Sequence, residues 1–254
     1  MLQHAFRTVR DGLLGLAYPE ECRVCGGVVE SYDDGVACTA CWNDSNVTKL
    51  IHGSVCTKCG LPMSRSSAGA QASHRVAGSR VCGECSTLPF AAARACGIYS
   101  GALEANVLFL KVNPHICSRL RSLIAGTFSK HREALACEVV IPVPLHRLRE
   151  KQRGFNQAAI IAGAISREFK LQIDRHSLVR TKATGRHRAG LDATDRAKSV
   201  ERAFAVSSRR QVTGAKVLLV DDVYTTGSTI CAAARSLIEA GASEVKVLTI
   251  ARVA

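Results

Sequence analysis

Lys216-Val217-Leu218-Leu219-Val220-Asp221-Asp222-Val223-Tyr224-Thr225-Thr226-Gly227-Ser228-Thr229-Ile230 decides the fold of this chain. Its apolar run, Val217 to Val220, has the length and branching of a buried parallel strand. Two carboxylates, Asp221 and Asp222, follow directly. After Val223 and Tyr224 comes a loop of hydroxyl and glycine residues, Thr225 to Thr229, and then an alanine-rich, helix-forming stretch from Ile230 to Ile238. Strand, acidic pair, glycine-centred loop and helix start together make an anion-binding arrangement. Backbone N–H groups at a helix N-terminus have no intrahelical partner and carry partial positive charge. Gly227 allows close approach of the backbone to an anion, and the hydroxyls of Thr225, Thr226, Ser228 and Thr229 add donors. The loop holds no lysine, so it is not a Walker-A loop. The two aspartates suit a neighbour of the phosphate that offers hydroxyl donors, such as a ribose diol.

Val220 to Thr229 resembles the phosphoribosyl pyrophosphate (PRPP) signature of type I phosphoribosyltransferases. The resemblance implies an α/β fold, a mostly parallel sheet flanked by helices. It implies that Asp221 and Asp222 hold the 2′- and 3′-hydroxyls of the ribose. Val223, Tyr224, Thr225, Thr226, Gly227, Ser228 and Thr229 would then wrap the 5′-phosphate, with Mg2+ accompanying PRPP. The plainer alternative is that the aspartates only cap a loop at a strand end.

The N-terminal third is a cysteine framework. Cys22/Cys25, Cys38/Cys41, Cys56/Cys59 and Cys82/Cys85 are four CxxC pairs, separated by 12, 14 and 22 residues. A CxxC turn aims two thiolates at one tetrahedral metal, and two such turns complete a closed four-sulfur site. Glycine directly after the second cysteine, at Gly26 and Gly60, frees the tight turn from side-chain crowding. One CxxC fits a redox motif; four within about 64 residues, with no βαβ context, read as ligands of two structural Zn2+ ions. Sequential pairing, the first two pairs and then the last two, is the expected arrangement. Cys96, Cys117, Cys137 and Cys231 stand alone and read as small core residues. Residues 63–80, rich in Ser, Ala, Gly and Arg, read as a flexible loop.

Around these two anchors the chain divides into three parts: an amphipathic helix at 1–20, a double zinc ribbon at 21–90 and a larger α/β domain at 91–254. Phe6, Val9, Leu13 and Leu16 at helical spacing define the first, which lacks the apolar core and cleavage site of a signal peptide. Ala95 to Tyr99 reads as an edge strand. Leu103–Lys111 and Ile116–Phe128 read as helices, broken at Asn113-Pro114. Residues 138–144 read as a buried strand stopped by its prolines. Basic residues crowd the handover from that strand to a helix at 155–169: His146, Arg147, Arg149, Lys151 and Arg153, leading into Gly154-Phe155-Asn156-Gln157. In an open α/β sheet, ligands bind beyond the carboxyl ends of the strands. A third basic segment, 175–200, with Arg180, Lys182, Arg186, His187, Arg188, Arg196 and Lys198, reads as a mobile active-site loop or a disordered surface loop. Ala203–Val206 and Glu244–Val253 read as strands, with Gly241 ending the helix between them.

The four CxxC pairs, Val140-Ile141-Pro142-Val143-Pro144-Leu145-His146, Arg153 to Gln157, Arg180-Thr181, Ala203-Phe204 and Val220 to Thr229 together resemble the ComF family (competence protein F and GntX-like proteins). That resemblance implies a double zinc ribbon joined to a type I phosphoribosyltransferase domain. It implies that His146, Arg147, Arg153 and Lys111 serve PRPP and its pyrophosphate. It also implies a link to DNA uptake or nucleotide metabolism, with single-stranded DNA and a DNA-uptake helicase as partners. The chain departs from the family pattern at His187 and Ser199, where Gln and Asn are usual, and at Val112-Asn113-Pro114 after Lys111. Both departures lie on the acceptor side of the site.

The 254 residues suffice for one large or two modest domains, and a hydrophobic content of 47% excludes wholesale disorder. No apolar run reaches the ~18–20 residues of a membrane span. With no export signal or secretory cysteine logic, the expected compartment is the cytoplasm. The net charge of +13 falls to roughly +9 once eight thiolates hold two Zn2+. This balance fits a nucleic acid and a pyrophosphate-binding enzyme alike. Three functions follow: a Mg2+-dependent phosphoribosyltransferase with Asp221 and Asp222 as its catalytic pair, a non-catalytic single-strand-binding component of DNA uptake, or a regulatory protein that binds PRPP without turnover. Only 5% of residues are aromatic, few for a stacking surface, although Trp42, Tyr32 and Phe155 lie beside ribbon or basic elements. The acceptor and the oligomeric state stay open, with a dimer allowed.

Overall fold

The computed structural model describes residues 20–63, 81–85, 87–182 and 203–253. Of the helix expected at 1–20 all but residue 20, of the loop expected at 63–80 all but residue 63, and of the basic segment 175–200 the part 183–200 with Arg186, His187, Arg188, Arg196, Lys198 and Ser199 lie outside the described residues.

Five parallel strands form the central sheet: β1 (Ala92–Ile98), β2 (Val139–Pro142), β3 (Gln172–Ile173), β6 (Lys216–Tyr224) and β7 (Glu244–Arg252), in the spatial order β1-β7-β6-β2-β3. A separate antiparallel pair, β4 (Leu178–Arg180) and β5 (Phe204–Val206), flanks it. The helices are α1 (Thr39–Asn43) in the first ribbon, then α2 (Gly101–Leu110), α3 (Ser118–Lys130), α4 (Arg147–Arg153), α5 (Gln157–Phe169) and α6 (Ser228–Glu239).

Strand β6 is central because it is apolar on both faces, as a strand between two helical layers must be. Leu218 and Val220 pack with Leu103, Leu120, Ile124, Ile161 and Ile165 of α2, α3 and α5. Val217 and Leu219 face the other way, onto Ile230, Ala233 and Leu237 of α6. The period of two along a strand sends neighbours to opposite faces, so one run of four residues serves both cores.

The ribbons are not a tethered arm. Trp42, Cys22, Cys38 and Cys41 share a core with Leu103, Leu120 and Ile124. Trp42 is 3% exposed, its Nε1 donates to the Asp34 carbonyl at 2.8 Å, and the Arg119 guanidinium lies over its ring, 5.2 Å from the centroid. A base-stacking role for Trp42 is therefore corrected: the indole is structural. Strand β1 is the expected edge strand, and the ribbons cover its open side. Ile98 N–H donates to Lys49 O at 2.8 Å, Ile51 N–H to Cys96 O at 2.9 Å and Ala93 N–H to Lys58 O at 2.6 Å.

Three differences from the sequence reading stand out. Strand β6 runs on through Asp221, Asp222, Val223 and Tyr224, so the acidic pair lies within the strand's last residues rather than beyond it. Residues 147–153, read as the basic handover from a strand to the helix at 155–169, form a helix of their own, α4, N-capped by His146 and closed by Gly154 in the left-handed conformation. Strand β4, which pairs with the expected β5, was not anticipated. The described residues hold no helix long and apolar enough to cross a membrane.

Candidate anion site and cysteine tetrads

At the carboxyl edge of the sheet, β6 delivers Asp221 and Asp222 at 9% and 8% exposure. Asp222 N–H donates to Asp221 Oδ1 at 2.9 Å, and Val223 N–H to Asp222 Oδ1 at 2.8 Å. Local backbone donors thus fix one oxygen of each carboxylate. The other oxygen of Asp222 stands 3.4 Å from Gln157 Nε2 and 3.9 Å from Lys111 Nζ. Burial pushes the Asp221 carboxyl well above the usual carboxylate range and the charge of Asp222 adds to it, while the Arg180 guanidinium works against both.

The loop turns at Gly227, which has φ +76° and caps α6. A Cβ there would stand 2.6 Å from the Tyr224 hydroxyl, so glycine is required by space as well as by torsion. Thr225 and Thr226 are exposed, and Thr226 Oγ1 lies 2.9 Å from Ser228 Oγ. Gly227 itself brings no capping side chain, and at the start of the 12-residue helix α6 the Ser228 N–H meets Thr226 Oγ1 at 3.4 Å, so loop hydroxyls and helix N–H groups gather at one place.

Helices α4 and α5 supply the basic wall. Asn156 caps α5, accepting from Ala158 N–H at 3.0 Å, and its Nδ2 donates to Val143 O at 3.0 Å, which locks the helix start to the end of β2. Arg153 Nη1 donates to Gln157 Oε1 at 2.5 Å, and Gln157 turns its amide to Asp222. Of the expected residues, the fold brings Lys111, Arg153, Asp221, Asp222 and the 223–229 loop to one edge. His146 is engaged as a helix cap, its Nδ1 accepting from Leu148 N–H at 3.3 Å, and Arg147 is exposed on the first turn of α4. Gln157, quoted in the Arg153-to-Gln157 motif but given no role there, is the link between the basic and acidic walls. Arg180, at the end of β4, is the cation nearest in effect to Asp221.

The eight CxxC cysteines gather as Cys22/Cys25/Cys38/Cys41 and Cys56/Cys59/Cys82/Cys85, each set with its sulfurs within 4.8 Å of one another. This is the sequential pairing expected from the spacing. Sulfur–sulfur separations of 3.9 Å (Cys22–Cys41), 3.7 Å (Cys25–Cys38), 3.4 Å (Cys56–Cys85) and 3.5 Å (Cys59–Cys82) suit a tetrahedron with zinc–sulfur bonds of ~2.3 Å. Gly26 and Gly60 both have positive φ, +75° and +73°. Burial raises the thiol of Cys22, but N–H groups of Cys38, Cys25 and Val24 outweigh it and bring the thiol to about 6; Cys56 behaves alike, with N–H donation from Cys82, Cys59 and Lys58. Such donation favours the thiolate that a metal needs. Four thiolates fill the four tetrahedral positions of each set, so zinc held there is structural.

Family models match in two places: the double zinc ribbon domain at residues 13–86 and the phosphoribosyl transferase domain at 153–254. Competence protein F of Haemophilus influenzae is 37% identical over 116 residues, 45% of this chain, and the match spans only half of that relative's length. DNA utilization protein YhgH of Escherichia coli O157:H7 is 29% identical over 85% of this chain and 89% of its own. Competence protein ComFC of Bacillus subtilis is 27% identical over 84% and 83%. Two cysteine tetrads docked on a parallel sheet, with a double zinc ribbon domain and a phosphoribosyl transferase domain matched in that order, go with similarity along most of the chain to competence and DNA-utilization proteins of the ComF type.

Proposed function

We propose that the chain binds PRPP with Mg2+ at the carboxyl edge of β6 and transfers or holds its phosphoribosyl group. The observation that carries this reading is the run from a buried acidic pair into a hydroxyl loop that a left-handed glycine turns onto the start of α6. Asp221 and Asp222 accept hydrogen bonds from the ribose 2′- and 3′-hydroxyls. Thr225 to Thr229 and the first N–H groups of α6 hold the 5′-phosphate. Lys111 and Arg153 stand on the pyrophosphate side, with His146 and Arg147 at the start of α4. The oxygen donors at hand, carboxylates and hydroxyls, suit Mg2+, which keeps waters and phosphate oxygens among its ligands. When bound, Mg2+ neutralises charge on the departing pyrophosphate. In turnover, C1 gains positive character as its bond to pyrophosphate breaks and an acceptor attacks. The basic wall then stabilises the leaving charge.

Isothermal titration of PRPP with Mg2+ into the zinc-loaded protein tests this, beside the Asp221→Asn/Asp222→Asn variant. Saturable binding that the variant loses supports the site, and pyrophosphate release then identifies acceptors. Absence of binding to either protein overturns it. A second reading draws on the names of the relatives, which refer to competence and DNA utilization. In it the exposed Arg147 and Lys151 of α4 grip single-stranded DNA in the cytoplasm, beside a DNA-uptake helicase. Its mark is DNA affinity that falls steeply with salt.

A further inference from the structure

Two buried guanidiniums lie between the second cysteine tetrad and the sheet, and the proposed PRPP chemistry uses neither. Arg94 on β1 and Arg252 at the end of β7 are each 7% exposed. Arg94 Nη1 donates to Thr57 O at 3.0 Å and to Ala93 O at 2.7 Å. Arg252 Nη1 donates to the carbonyl of Cys59, itself a tetrad cysteine, at 2.6 Å. Among the described residues no carboxylate pairs with either, and neither Nε has a hydrogen-bond acceptor. A buried cation needs an opposite charge. A zinc ion held by four thiolates carries two net negative charges, and two guanidiniums match them.

From Arg252 the contacts run straight to the phosphate loop. Arg252 is the register partner of Tyr224 across β6 and β7, and its guanidinium lies 5.1 Å from the Tyr224 ring centroid. Val253 N–H donates to Tyr224 O at 2.8 Å. The ring's edge meets Phe90, just after the second ribbon, at 6.3 Å and an interplanar angle of 90°. Its hydroxyl fills the space beneath Gly227, where even a methyl group would collide. Metal knuckle, guanidinium, aromatic ring and loop glycine are thus stacked in unbroken contact.

We propose that Arg252 is a positioning residue through which the second cysteine tetrad sets the phosphate loop, so that metal in the tetrad and an anion at Thr225–Thr229 favour each other. The half that concerns the anion rests on the PRPP reading above; the link from tetrad to loop does not. Metal loading supplies the counter-charge that holds Arg252 over Tyr224, and the ring then fixes the floor of the loop. Linkage makes the effect reciprocal: an occupied loop raises the affinity of this tetrad for metal, which is read below as slower release, and leaves the first one alone.

The test uses the full zinc-loaded chain, Arg252→Met and Arg252→Lys. Zinc release to a colorimetric chelator is followed, with Cys82→Ser identifying the phase that belongs to the second tetrad. Amide exchange of residues 224–230 is read by mass spectrometry. Arg252→Met should speed both second-tetrad release and 224–230 exchange by roughly fivefold or more, with first-tetrad release unchanged. Arg252→Lys, which keeps the charge and loses the planar fork, should fall between. PRPP with Mg2+ should slow second-tetrad release in the parent and not in Arg252→Met. Exchange at 224–230 that stays at the parent rate in a folded Arg252→Met, or in Arg252→Lys where the first fails to fold, overturns the link. If calorimetry shows no PRPP binding to the parent, the anion half falls, and release and exchange alone decide whether tetrad and loop are coupled.

Discussion

Asp221 shows what the site costs the fold. Its burial, with Asp222 one residue away, raises its affinity for a proton above that of a carboxyl in the unfolded chain. A raised folded-state value means that the group's stabilising contribution is present below the unfolded value and is lost as pH rises through the folded one. At neutral pH, where the same carboxyl is ionised in the unfolded chain, its burial beside Asp222 therefore weakens the empty protein. Asp221→Asn should melt higher than the parent at neutral pH, by roughly 2–4 °C for each kcal/mol relieved, and the advantage should shrink on acidification. The same variant should lose PRPP binding, because an amide replaces the carboxylate that accepts a ribose hydroxyl. PRPP affinity of the parent should rise with pH as Asp221 ionises. Calorimetry and melting curves across the acid range check both. A variant that melts lower than the parent at neutral pH would contradict the burial argument. The acidic pair was legible in the sequence because two carboxylates after an apolar run are rare in a core. Arg94 and Arg252 were not: their charge reads as surface, and the carbonyl that receives Arg252 lies 193 positions away.

Among elements, β6 and the four CxxC turns could be read from local pattern alone, apolar run and ligand spacing. Helix α4 could not, because Arg147 to Arg153 buries no residue and so carries no apolar periodicity. Strand β4 is three residues long and is fixed only by its pairing with β5, a non-local contact that leaves no local trace, whereas β5 itself was legible at Ala203–Val206. The docking of the second ribbon on β1 was equally hidden, although one glycine records it. Gly60 has φ +73°, and a Cβ on it would collide with the carbonyl of Ala93. That carbonyl is backbone in a paired strand and cannot step aside. Gly60→Ala should cost the ~1–2 kcal/mol of a left-handed alanine plus the loss of close packing on β1. Metal analysis and chelator kinetics should show weaker zinc retention at the second tetrad, with the first unaffected. Zinc held as in the parent would mean that the ribbon accommodates the methyl by shifting on the strand.

For the whole molecule, the shared core makes zinc a determinant of more than the ribbons. Structural zinc contributes an apparent ~10–16 kcal/mol in small cysteine-rich folds, as much as the entire stability of a typical domain. Because Trp42, Cys38 and Cys41 pack with Leu103, Leu120 and Ile124, stripping the metal uncovers apolar surface on α2 and α3. Chelation should therefore lower the melting temperature of the α/β domain as well and expose dye-binding apolar surface, followed by circular dichroism and dye fluorescence. An unchanged upper transition would show that the domain stands without its ribbons. The covering of β1 has a further consequence, for self-association. Bare strand edges are where sheets recruit further strands, from copies of themselves above all. One edge of this sheet is sealed by Lys49, Ile51 and Lys58, and the other is the two-residue β3. Among the described residues, the central sheet offers copies of this protein that meet little strand edge on which to extend it.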